Sequence, residues 1–136
     1  MSRPRHWWHG NVCRVIAAYP HIRLRVQDME RQKLTASFSG MPHGGGSARS
    51  VEDIALRTVS SREYSDYIAV GLAIDEALTW ADGKDVLDVV RLYDWERSAM
   101  TFELIAYKLH ISERTARRMH GRFVYCVAKK LGYTQK

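Results

Sequence analysis

Arginine side chains are concentrated near the end of this 136-residue chain. Arg114, Arg118 and Arg122 are four residues apart, and Arg117 follows Arg114 by three, which places all of them towards one side of a predicted helix. A guanidinium group can donate two hydrogen bonds to the edge of guanine, and it also binds phosphate oxygens. The spacing therefore predicts a surface that binds a polyanion.

Two predicted helices position these arginines. Thr101 and Ser112 are favourable N-cap residues, and each precedes apolar residues at helical spacing. His110 and Ile111 form the turn between the helices, and Gly132 is placed to end the second one. The pattern predicts a helix-turn-helix. The buried side of its second helix is predicted to consist of Ala116, Met119, Phe123, Val127 and Leu131.

The position of each polar residue predicts its contact with DNA. A recognition helix enters the major groove by its N-terminal turns. Glu113, Arg114 and Arg118 are predicted to contact base edges, and each such pair discriminates by about 1 to 3 kcal/mol. The competing interpretation is a solvent-facing helix whose basic residues aid solubility. Contacts to DNA phosphates, which position a protein without specifying a sequence, are predicted for Thr101, Ser112, Thr115, Arg117 and Arg122.

The charge is unevenly distributed along the chain, although the net charge is only +6. Residues 1–34 carry seven basic and two acidic side chains, residues 35–109 carry seven and twelve, and residues 110–136 carry seven and one. Both ends are therefore cationic around an acidic centre, which favours a polyanionic partner. Near the N-terminus, Arg3, Arg5 and Arg14 form a second basic patch.

Apolar residues recur at helical spacing along most of the chain, and no strand of useful length is evident, so we predict an all-α fold. Residues 1–34 form a helical N-terminal region, in which Pro20 either separates two helices or lies within one kinked helix. Residues 35–50 are a Gly/Ser-rich linker, and residues 99–136 hold the helix-turn-helix. Residues 51–98 form acidic scaffold helices that begin at a capping box of Ser60 and Glu63.

Other reactive side chains do not form a convincing catalytic or metal site. His6, His9 and Cys13 share a helix face, but a fourth zinc ligand is not evident. The scaffold carboxylates Asp85, Asp88 and Asp94 are expected to face water without a matching histidine. We therefore predict no enzyme activity, no metal and no cofactor.

The remaining composition bears on the compartment and on the N-terminal aromatic residues. Cys13 and Cys126 are too few for a disulfide framework, and no apolar run approaches the roughly 18 to 20 residues of a membrane span. We expect a soluble, cytoplasmic protein.

Trp7 and Trp8 are predicted to pack in a core or an interface rather than to stack on bases.

The segment ISERTARRMHGRF at residues 111–123 resembles the recognition helix of region four of bacterial sigma factors. More closely, it resembles the C-terminal part of phage late-gene transcriptional regulators of the RinA/ArpU type, in which a Gly-rich segment like SGMPHGGG is common. The resemblance implies a phage or prophage DNA-binding regulator that activates late genes on the nucleoid of a bacterial host. It places Glu113, Arg114 and Arg118 at base-reading positions and Arg117 near the backbone. The aromatic and basic HWWH at residues 6–9 departs from the pattern.

Two other functions remain open at this point. A Q-type transcription antiterminator would bind a DNA site near a promoter and then act on RNA polymerase. The DNA-recognition subunit of a phage terminase would associate with a large ATPase subunit. Because one helix-turn-helix has limited affinity, we expect a homodimer on repeated half-sites, with the N-terminal helices as the surface of self-association.

Overall fold

A computed structural model describes residues 6–39, 59–96 and 100–134, with the side chains of residues 33–39 excepted. These residues form helices and no strand, which confirms the predicted all-α fold. The helices are α1 (His9–Ser39), α2 (Ser61–Ala77), α3 (Gly83–Val90), α4 (Phe102–Leu109) and α5 (Glu113–Lys130). A π-helical turn, Arg91–Trp95, directly follows α3.

Helix α5 lies at the centre of the fold and packs against each of the other four helices. Its predicted buried side is confirmed, because Ala116, Met119, Phe123 and Val127 are buried and Leu131 is half-buried against the same core. Phe123 is the largest of the side chains that are completely buried. The core therefore holds α5 in place along most of its length.

Helix α1 passes through Pro20 without interruption, so the alternative of one helix is the observed one. Proline has no N–H, which leaves the carbonyl of Ile16 without its usual partner four residues later. The indole Nε1–H of Trp95, from the π-helical turn, donates to that carbonyl at 2.7 Å. A tertiary hydrogen bond thus replaces the helical one.

The bounds of α1 differ from the predicted regions at both ends. The helix begins at His9 and extends to Ser39, so that residues 35–39, which we assigned to the linker, are helical. The sequence contains no glycine or proline between Pro20 and Gly40, and nothing local ends the helix earlier. The rest of the predicted linker lies outside the described residues.

The predicted capping box at the start of α2 is confirmed. The Ser60 hydroxyl accepts from the Glu63 N–H, and the Glu63 carboxylate accepts from the Ser60 N–H, each at 3.1 Å. The same carboxylate forms a 2.7 Å ion pair with Arg25 of α1. The hydrogen bonds from the Ser60 backbone and from Arg25 hold the pKa of Glu63 below its ordinary value. The cap therefore also joins α2 to α1.

The turn between α2 and α3 requires glycine at position 83. A Cβ atom placed there would collide with the backbone carbonyl oxygen of Ala77, the last residue of α2. Gly83 is buried, and its own N–H donates to the carbonyl of Trp80 at 3.1 Å. Close contact between the end of one helix and the start of the next thus excludes any side chain at this point.

We expect Trp95→Phe to lower the free energy of unfolding by about 1 to 3 kcal/mol, because it leaves the buried carbonyl of Ile16 without a donor. The loss should be smaller when Pro20→Ala is also present, since the introduced alanine supplies a backbone N–H to the same carbonyl. Urea unfolding of the wild type, both single variants and the double variant measures this coupling. An equal loss in both backgrounds would show that Trp95 acts only by packing.

Gly83→Ala should also destabilise the protein, because backbone rather than a flexible side chain must move to admit the methyl group. The matched control is Gly121→Ala in the middle of α5, where a Cβ atom meets nothing within 4 Å. That control should raise the free energy of unfolding by about 0.8 to 1 kcal/mol through helix propensity alone. Thermal unfolding that moves in the same direction for both variants would contradict this account of position 83.

Candidate DNA interface

Helices α4 and α5 are joined by a tight turn and packed against each other, as the sequence predicts. The N-cap hydroxyls of Thr101 and Ser112 accept hydrogen bonds from the Leu104 and Thr115 N–H groups at 3.2 and 3.0 Å. His110 ends α4 in the left-handed conformation, with φ of 60°, a position more often taken by glycine. The left-handed residue thus ends α4 and lets the chain turn into α5.

The exposed face of α5 carries the charged residues predicted for it, while Thr115 is half-buried. In the described part of the chain, Arg114 and Arg118 form no ion pair, and both side chains are exposed to solvent. They lie on the first two turns of α5, four residues apart, and so project from neighbouring turns of the same face. These two guanidinium groups are available to an external anion.

Glu113 and Arg117 are already engaged with each other at one edge of this face. The Nε and Nη2 atoms of Arg117 donate to one carboxylate oxygen of Glu113 at 3.0 and 2.6 Å. The guanidinium also lies 4.9 Å from the ring centroid of Phe102, the first residue of α4. Because both bonds are to Oε2, Oε1 of Glu113 can still accept a hydrogen bond from a base while the ion pair is closed.

Arg122 is held at the opposite edge of the face. Its Nη1 donates to the Asp82 carboxylate at 2.8 Å, and its guanidinium lies 4.5 Å from the ring centroid of Trp80. Both partners belong to the turn between α2 and α3, so Arg122 fastens α5 to the scaffold. Its side chain remains partly exposed, with 42% of its surface accessible, and its outer N–H groups can still donate to a phosphate.

The predicted phosphate-binding hydroxyls have mainly local partners. Thr101 and Ser112 are exposed N-caps, and the Ser112 hydroxyl donates to that of Thr115 at 2.8 Å. Ser112 and Thr115 begin α5, whereas Thr101 begins α4. The structure therefore brings all the predicted contacts onto one helix-turn-helix, with Thr101 at its far end.

A groove beside Arg118 was not predicted from the sequence. This groove has a volume of about 510 Å³ and lies between α5 and the end of α2. Lys129 and Tyr125 extend the row of Arg118 and Arg122 along α5, and the spacing of four and seven residues is the signal that could have located them. The lining of the groove consists of Glu76, Trp80, Arg118, Gly121, Arg122, Tyr125, Cys126 and Lys129.

Asp94 does not face water, and this part of the prediction is wrong. Its side chain is 8% exposed, and it accepts a 2.7 Å hydrogen bond from Nε2 of His120, which is 9% exposed. The rings of Tyr93 and Phe102 stack with centroids 4.1 Å apart, and His120 meets both of them edge-on. A buried carboxylate is satisfied by a histidine from α5, on the side opposite the exposed arginines.

The N-terminal aromatic residues separate into one buried and one exposed ring. Trp8 is buried, as predicted, whereas Trp7 is 82% exposed and is not a core residue. Trp7 meets Tyr133 edge-on at 5.4 Å, and Asn11 donates to the Tyr133 hydroxyl at 2.7 Å. Arg14 in turn donates to the side-chain oxygen of Asn11. Arg3 and Arg5 lie outside the described residues.

Histidine and cysteine side chains in the described part of the chain do not assemble into a metal-binding group of three. His6 stacks on Trp8 with ring centroids 4.6 Å apart, while His9 contacts Cys13 with 3.7 Å between Nδ1 and Sγ. Burial raises the pKa of the Cys126 thiol to about 11, with the nearby Glu76 carboxylate as a further cause. That thiol is therefore protonated and unreactive at neutral pH.

Comparison with known proteins identifies no relative. No family model, no curated protein and no solved structure matches the chain. Within the described ranges, no helix is both long enough and apolar enough to cross a membrane.

The buried pair of Asp94 and His120 predicts a large effect of a single substitution. Asp94→Ala should lower the free energy of unfolding by about 1 to 3 kcal/mol, because the imidazole of His120 loses its buried partner. Asp28→Ala on the exposed side of α1 is the control, and it should change stability by no more than about 0.5 kcal/mol. Equal effects in urea unfolding would mean that the pair contributes nothing beyond an exposed carboxylate.

Proposed function

We propose that this protein is a sequence-specific double-stranded DNA-binding regulator of the RinA/ArpU type that activates phage or prophage late genes. The observation that carries the proposal is the pair of exposed arginines, Arg114 and Arg118, on the first two turns of α5. Neither has a partner within the described residues. A bidentate contact from arginine to guanine is the commonest specific contact in the major groove, and these turns are the ones that a recognition helix inserts.

The surrounding residues support a surface specialised for DNA. Arg117 and Arg122 flank the two exposed arginines, and each is held by a carboxylate and an aromatic ring. Guanidinium groups fixed at the edges of a groove-binding helix are suited to phosphate contacts, which set the position of a protein on DNA. Lys129 extends the cationic row along the groove beside Arg118. The exposed face thus has base-reading candidates at its centre and phosphate-binding candidates at its margins.

A regulator of this type would have a defined location and defined partners. A late-gene activator would work on the nucleoid in the cytoplasm of a bacterial host, and it would act with RNA polymerase. It would bind repeated half-sites as a homodimer. The exposed Leu104 and Tyr107 of α4 offer a surface for the polymerase beside the DNA-binding helix.

DNA binding is tested with duplexes selected by the wild-type protein from a pool with a randomised core. Arg114→Ala and Arg118→Ala should each weaken binding to the selected duplex by about 1 to 3 kcal/mol, or roughly fivefold to 150-fold. Each should also relax the preference at one base position. Arg23→Ala, an exposed arginine on α1, removes the same charge and should change affinity little.

The dependence on salt separates the assigned roles. Arg122→Ala should weaken binding to all duplexes alike and reduce the slope of log affinity against log salt by about 1. If the wild-type protein selects no sequence, or if Arg114→Ala and Arg118→Ala bind the selected duplex as tightly as the wild type does, the assignment of α5 as a recognition helix is wrong.

A reporter gene then distinguishes activation, which depends on DNA upstream of a promoter, from readthrough of a distant terminator.

A further inference from the structure

Helix α2 presents a row of three apolar side chains to solvent. Tyr64, Ile68 and Leu72 are 43%, 41% and 49% exposed and lie four residues apart, on the side opposite the buried Ala73. Single exposed apolar residues are ordinary on a soluble protein. A continuous row on one helix is instead typical of a surface that another apolar surface covers.

A hollow lies beside this row. It has a volume of about 270 Å³ and is lined by Ile68 and Leu72 of the row together with Tyr19, Tyr67, Gly71, Ile74 and Asp75. A Cβ atom at Gly71 would meet nothing within 4 Å, so packing inside this chain does not require glycine there. Glycine within a helix costs about 0.8 to 1 kcal/mol relative to alanine. Gly71 therefore leaves the hollow open to a neighbouring surface.

The two ends of the row carry opposite charges. Arg62 is exposed on the first turn of α2, and Asp75 is exposed near its last turn. A two-fold axis through Ile68 would set two copies of α2 antiparallel, with Tyr64 of each copy facing Leu72 of the other. Since a helix rises about 1.5 Å per residue, Asp75 would then lie beside the first turn of the opposite helix. An anion is favourable at that end, and Arg62 is there to pair with it.

From this self-complementary arrangement we infer that the exposed face of α2 is a homodimer interface, in which a second copy of this chain packs antiparallel about Ile68. The row, the hollow and Asp75 share one face of α2, and Arg62 lies at the margin of that face, so the patch can pair with itself as an isologous interface requires. The sequence had favoured the N-terminal helices as the surface of self-association. The inference does not depend on DNA binding, and the two are tested by separate measurements.

Sedimentation equilibrium of the full chain over a wide range of concentrations tests the interface. We expect a monomer–dimer equilibrium whose dissociation constant rises at least about tenfold in Ile68→Glu, because the charge would be buried at the axis. Leu24→Glu on α1 is the control, since Leu24 is 61% exposed and lies outside the patch. Circular dichroism shows whether each variant is folded. A wild-type chain that stays monomeric, or a dimer indifferent to Ile68→Glu, overturns the inference.

Charge exchange tests the antiparallel pairing at low salt. Arg62→Asp and Asp75→Arg should each weaken the dimer, because each places like charges opposite one another across the interface. The double variant should bind more tightly than either single variant, although not as tightly as the wild type, because Asp75→Arg places a cation beside the N-terminus of the opposite helix. Both exchanges are favourable for the dipole of α2. Arg62→Asp also replaces a favourable charge interaction with Asp66 by a like-charge pair, so circular dichroism has to show that each variant is folded. A folded double variant that binds no more tightly than the single variants would exclude this pairing.

Discussion

The hydrogen bond from Trp95 to the carbonyl of Ile16 is the constraint on which the rest of the structure depends. Pro20 leaves this buried carbonyl without its helical donor, and the cost of leaving it unpaired is comparable to the loss of a whole hydrogen bond. The same indole meets Phe123 at the centre of α5 edge-on and lies tilted against Tyr19. One side chain therefore supplies the hydrogen bond that α1 lacks and contacts both α1 and α5.

The π-helical turn explains how neighbouring residues reach different helices. The Glu96 N–H donates to the Arg91 carbonyl at 2.8 Å, five residues back, which gives this turn a wider spacing than an α-helix. Trp95 contacts α1, while Asp94 receives the hydrogen bond from His120 of α5. A short, irregular segment thus fixes both α1 and the central helix. Irregularity of this kind is retained where tertiary contacts require it.

The sequence predicts the elements whose signals are local and fails where a partner is distant. Ser60, Thr101 and Ser112 are recognisable as caps because each cap is completed within three residues. Asp94 lies four residues after the buried Val90, so helical spacing already places it towards the core. A carboxylate is incompatible with that position unless a donor such as His120 reaches it. Nothing near Pro20 indicates Trp95, which is far along the chain.

The arginines of α5 acquire different roles once their partners are known. Counted along the sequence, Arg114, Arg117, Arg118 and Arg122 are equivalent charges. In the fold, two of them are neutralised by Glu113 and Asp82, and stacking on aromatic rings restricts their movement. The other two keep both their charge and their freedom, so an approaching anion meets the strongest attraction at the centre of the face. Arginines that are fixed at the edges of the face suit contacts with phosphates, and arginines that are free at its centre suit contacts with bases. The distribution of partners, rather than the net charge, is therefore what the proposed role of α5 rests on.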